Sequence, residues 1–166
     1  MHIRKYDLPL VSLLTLAFMA CGEKPSTSQL PDQLADLHLV RVEKNEVARN
    51  KLSKMHHGVS FAEYESVIGT YRDQEDEATV YLTIFDSEEK SAQMMSRMVE
   101  KIKARKSPEF SYINQFQRKG KTIHSAASRG LAHYFFQDGK RNVWISASPT
   151  WCELLLNDFL AKLETP

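Results

Sequence analysis

Cysteine is scarce in this chain: among 166 residues only Cys21 and Cys152 occur. At most one disulfide can form, so the fold must rest on a packed core rather than a disulfide framework. Ligand spacing is absent as well. His56 and His57 are adjacent, which on a helix turns their side chains about 100° apart. His124 and His133 can share a sheet face only if the turn near Ser128-Arg129-Gly130 holds an even number of residues. No metal site and no cofactor are therefore expected. The chain has no G-x-S-x-G elbow, no H-E-x-x-H helix and no glycine-rich phosphate loop. The acidic run Asp73 to Glu77 lacks the spaced oxygens and fixed glycine of a calcium loop and reads as a solvated hairpin tip. An excess of one charge is missing too, with 22 Lys and Arg against 21 Asp and Glu. Arg4, Lys5 and Asp7 precede Cys21, which leaves 20 of each sign beyond it. A neutral domain lacks the basic footprint that nucleic acid requires.

Long apolar runs are likewise absent. The longest, Leu8 to Ala20, has thirteen residues, against the roughly 20 that a membrane-spanning helix needs. Preceded by Arg4 and Lys5, it has the length and flanks of a signal-peptide core, so residues 1–20 are read as a signal peptide. The run ends Leu16-Ala17-Phe18-Met19-Ala20-Cys21-Gly22, and this junction resembles the lipobox of bacterial lipoproteins. The resemblance implies cleavage before Cys21, a diacylglyceryl thioether on its sulfur, and a cell-envelope location. With Gly22 after the cysteine it also implies sorting to an outer membrane, facing the periplasm. Ala20-Cys21-Gly22 also suits ordinary cleavage to a soluble secreted protein. Residues 21–36 read as a tether, because Gly22 to Gln33 is polar and carries two prolines. Residues 37–166 then make one α+β domain of ordinary size.

A lipid on Cys21 leaves Cys152 with no partner in the chain. Cys152 lies in Trp151-Cys152-Glu153-Leu154-Leu155-Leu156, where a cysteine is expected to be buried and inert.

Three helices are legible with their caps. Asn45 precedes one from Glu46 to about His56, with Ala48, Leu52 and Met55 on one stripe and Gly58 as a stop. Asp86-Ser87-Glu88-Glu89 opens a second, which runs to about Lys103 with Met95, Met98, Val99 and Ile102 inward. Its terminal Lys101, Lys103 and Arg105 complement the helix dipole. The third starts at Ser148-Pro149 and buries Cys152, Leu155, Leu156, Phe159 and Leu163. Strands are predicted at 65–71, 78–85, 131–137 and 141–147. Weaker ones follow at 37–42, 110–117 and 121–127, and Asp138-Gly139 is a two-residue hairpin signal. The fold class is α+β, an antiparallel sheet with helices on one face. An offset of 63 residues matches Tyr71 with Tyr134, Val80 with Val143 and Tyr81 with Trp144. It reads either as two duplicated hairpin-helix units, drawn as ferredoxin-like halves, or as two hairpins sharing one pleat.

Strand alternation sorts the side chains. Val80, Leu82, Val143 and Ile145 fall on one face, and Tyr81, Phe85, His133, Phe135 and Trp144 on the other. If the helices seal the aliphatic face, the aromatic one is left to bind a protein partner, a second copy or a small amphipathic ligand. The competing interpretation is cross-strand aromatic packing beneath a cover that includes segment 105–119. The functional expectation is thus a lipid-anchored, non-catalytic envelope binding module. An envelope enzyme or redox accessory acting through His133 or Cys152 is the alternative.

Overall fold

The computed structural model describes residues 29–55, 60–104 and 110–163. The signal peptide, Cys21 and tether residues 22–28 lie outside the described residues, as do His56, His57, Gly58 and Arg105. The strands are β1 (Gln33–Leu34), β2 (Leu37–Lys44), β3 (Glu65–Arg72), β4 (Glu77–Ile84), β5 (Ser111–Arg118), β6 (Lys121–Ser128), β7 (Leu131–Asp138) and β8 (Arg141–Ala147). The helices are α1 (Asn45–Met55), α2 (Glu88–Ala104) and α3 (Pro149–Leu163). All eight strands form one antiparallel sheet in the order β1-β2-β3-β4-β8-β7-β6-β5. The α+β class holds.

Turn chemistry sets the hairpins. Lys119-Gly120 and Arg129-Gly130 have positive φ at both positions (48° and 70°, 49° and 82°), as a type I′ turn demands. The third turn is Gly139-Lys140 rather than Asp138-Gly139, because Asp138 pairs with Arg141. Gly139 alone takes positive φ there (55°), the pattern of a type II′ turn. The slip moves each strand by one residue, so Trp144 faces Phe135 instead of His133. Both strands move together, and every side chain keeps its face.

Register also decides the 63-residue similarity. The β3–β4 tip, residues 73–76, is four residues long and closed by the Asp73 amide donating to the Asp76 carbonyl at 3.1 Å. Tyr71 pairs with Ala78, whereas Tyr134 pairs with Ile145 rather than with Arg141, which the offset would require. The two hairpins share a pleat and not a register. Nor are the halves ferredoxin-like, since β5 to β8 run as a meander with no helix between them.

The helices divide between the faces, which corrects the expectation of one helical layer. The α3 helix packs Cys152, Leu155, Leu156 and Phe159 on Val80, Leu82, Val143 and Ile145. The α1 and α2 helices lie on the opposite face: Ala48 and Leu52 pack with Ile68 and Phe85, and Met95, Val99 and Ile102 with Phe135. An eight-stranded sheet is some 38 Å across at about 4.8 Å per strand, and both faces carry apolar rows. One helix, about 10–12 Å wide, cannot cover either face alone.

The second cover for the aliphatic face comes from residues expected in the tether. Leu30 and Leu34 are fully buried there, and Leu30 rests over Gly69, where a Cβ would lie 2.6 Å from its Cδ1. The Tyr71 hydroxyl donates to the Pro31 carbonyl at 2.8 Å, and the Ala35 amide donates to Asp158 Oδ2 at 2.7 Å. The folded unit therefore includes residues from Gln29 onward, ahead of the boundary drawn at 37.

Candidate functional site

The α2 helix is fixed to the sheet by its first turns. The Ser87 hydroxyl accepts from the Lys90 amide at 3.2 Å as an N-cap. Ser91 then donates to Asn142 Oδ1 at 2.8 Å, and Asn142 returns a bond to the Ser91 carbonyl at 3.1 Å. These contacts seat α2 over β5, β7 and β8, while α1 lies over β2 and β3. Neither helix packs extensively on β4 between them, and a groove of about 1200 Å³ opens there.

Tyr81 and Trp144, directly opposite each other in the β4–β8 pairing, form the centre of the groove floor. The next row across the sheet is polar, with Thr79 paired to Ser146 and Ser146 to His133. Leu52 and Met55 of α1 make one wall, and Met94 and Met98 of α2 the other. The walls border residues 56–59 and 105–109, which are not described.

The five expected site residues all lie on this face but differ in access. Tyr81 and Trp144 are half-buried and line the groove. Phe85 is buried at its end against Tyr64, ring centroids 4.6 Å apart. Phe135 is fully buried beneath α2 between His124 (5.5 Å) and Trp144 (5.0 Å), both stacked. His133 is 8% exposed. The face is therefore not open as expected: it is partly roofed, and accessible only along the groove. Phe110 contributes to that roof, 5.2 Å from the His133 ring and 5.8 Å from Trp144.

His133 has a fixed tautomer. Trp144 Nε1–H, which can only donate, lies 3.1 Å from His133 Nδ1. Nδ1 must accept, which puts the proton of the neutral ring on Nε2. Burial pushes the His133 pKa down to about 4, in keeping with a ring whose second protonation would set two N–H groups against each other. Nε2–H is itself buried and has no hydrogen-bond partner among the described residues.

No protein-family model matches this chain, and no curated protein or solved structure matches it significantly.

Charge around the groove is one-sided. Lys90, Arg97, Lys101 and Arg129 line it, and among the described residues no Asp or Glu does. Glu43, which influences Tyr81 electrostatically, is itself held by Lys51 at 2.6 Å and by Arg41. From the sequence Lys101 reads as a complement to the helix dipole alone, and Lys90, Arg97 and Met94 do not stand out. Their signal was present: on α2 the positions 90, 94, 97, 98 and 101 recur at helical spacing beside the buried stripe.

The two residues of the enzymatic alternative lie on opposite sides of the sheet. Cys152 is fully buried under α3, its thiol donating to the Ala132 carbonyl at 3.4 Å. Burial pushes its pKa up to about 12. With the sheet between them, His133 cannot activate it. His124 and His133 share a face, as the two-residue turn requires, but His124 Nδ1 is engaged by the Tyr112 hydroxyl at 3.1 Å. Among the described residues no three His, Cys, Asp or Glu side chains converge as a metal site. No helix among them is long and apolar enough to cross a membrane.

Proposed function

We propose that this protein is a lipid-anchored cell-envelope module that binds a small amphipathic molecule in the groove between α1 and α2 and carries out no chemistry on it. The observation that carries the binding reading is an apolar floor left without a helix. Tyr81 and Trp144 are only half-buried beside Ser146, between walls of leucine and methionine. Aromatic rings give large contact area with a polar tip, and methionine adapts to irregular chains. A groove of this size suits a single small molecule. The anchor rests on the lipobox-like junction at Cys21, with outer-membrane sorting following from Gly22. The non-catalytic reading is supported by the separation of His133 from Cys152.

Trp151→Phe leaves Trp144 as the sole tryptophan reporter. Titrating decanol into that variant is expected to shift Trp144 emission saturably, and Trp144→Ala should abolish decanol binding measured by calorimetry. Decanol uptake that is unchanged in Trp144→Ala would remove the groove from the account. For the anchor, Cys21→Ser is expected to move the protein from the membrane fraction to the soluble one.

A further inference from the structure

Two features of the groove point to the polar end of its ligand, and they are independent of its apolar floor. The first is the Nε2–H of His133. The ring is more than nine-tenths buried, lines the groove, and has its tautomer dictated by Trp144. It offers one N–H with no acceptor among the described residues. A buried donor left unpaired is costly, on the order of 1–3 kcal/mol, and the cost is relieved by an oxygen acceptor brought in by a ligand. The second is the rim. Lys90, Arg97 and Lys101 are exposed on the α2 flank that faces the groove. Lys101 lies toward the end of α2, beside Ile102 of the same buried cluster as Phe135 and Ala126, and Ala126 is the β6 partner of His133. One neutral donor beside the floor and cations above it, with no acid among the described lining residues, complement a compact anion that carries an apolar chain.

Resting on the reading of the groove as an amphiphile site, we propose that its ligand is a long-chain aliphatic carboxylate. One carboxylate oxygen accepts the His133 Nε2–H, the other faces Lys101 and Arg97, and the alkyl chain lies along Tyr81 and Trp144 between Leu52 and Met94. The donor is itself covered, so the head group must be small enough to reach it by displacing the Phe110 ring, which lies 5.2 Å from the imidazole. The basic rim selects a negative one.

Decanoate, decanol, decylamine and decyl phosphate titrated separately into the full chain test this by calorimetry, with the imidazole N–H signal of His133 followed by nitrogen-15 NMR. Decanoate is expected to bind at least ten-fold more tightly than decanol or decylamine and to shift the Nε2–H resonance downfield. The surface variant Arg97→Gln/Lys101→Gln, which touches no core contact, should lower decanoate affinity several-fold and leave decanol unchanged. His133→Phe keeps a ring and removes the donor, and should bring decanoate down to the level of decanol. Equal binding of decanol and decanoate, or an unshifted Nε2–H, overturns the carboxylate proposal and leaves the groove reading standing. Tighter binding of decyl phosphate than of decanoate overturns it in favour of a phosphate head group. If none of the four binds, the groove reading itself fails.

Discussion

The two faces of the sheet are built from the same strands and solve different problems. Under α3 the residues are aliphatic, the side chains interlock, and the N-terminal segment closes what the helix leaves uncovered: Leu34, Leu37, Val80, Ile145 and Leu155 are all at or near zero exposure. Under α1 and α2 the residues are aromatic and polar, two helices stand apart, and a buried imidazole has a donor with no acceptor among the described residues. Close packing marks a surface whose only task is cohesion. A gap over β4 together with an orphaned polar atom marks one with something still to hold.

The comparison breaks most sharply at Leu155. Leu155→Ala empties space in the sealed face and should cost about 3 kcal/mol in urea unfolding, with decanol affinity in the folded protein unchanged; an affinity loss would mean that the faces are coupled. Trp144→Ala should cost less stability, about 2 kcal/mol for a half-buried ring, and abolish binding. The pair of variants thus separates a cohesive face from a binding one.

Acid should reach the aromatic face first, through its imidazoles. The His133 ring has a usual value of 6.5 and a folded value of about 4. Between these the unfolded chain takes up a proton that the native state does not. The stability linked to His133 is therefore complete above about pH 6.5 and is lost as pH falls toward 4. Urea unfolding at several pH values should show that slope in the parent and a flatter one in His133→Gln. The smallest effect is expected at the roof. Ser87→Ala removes the α2 cap and should cost about 1 kcal/mol, with amide exchange quickening in the first turns of α2 and staying unchanged in α3.

Much of the fold was legible in the chain, and particular residues show why. Pro149 after Ser148 placed the start of α3, whereas the parity of the turn at Arg129-Gly130 stayed open until the structure put His124 and His133 on one face. Alternation sorted Val143 from Trp144 correctly even though the Gly139-Lys140 turn moved the hairpin register, since a paired shift preserves parity. The short strand at Gln33–Leu34 escaped notice because its neighbours are polar and its pairing is with β2 alone. The groove was half legible. Tyr81, Phe85, His133 and Trp144 could be named from pleat alone and segment 105–119 as a possible cover, but Lys90, Met94 and Arg97 could not, because nothing local says which sheet face a helix will cross to.

The sequence by itself determined the three helices, all strands but the shortest, and the sidedness of the two stronger hairpins, because those follow from backbone sterics, turn chemistry and a period of two or 3.6 residues. Only the tertiary structure decided that α1 and α2 cover the aromatic face, that Leu30 and Leu34 belong to the core, and that His133 meets Trp144 nitrogen to nitrogen. Those outcomes depend on contacts between residues distant in the chain, where several arrangements bury similar apolar area and packing chooses among them.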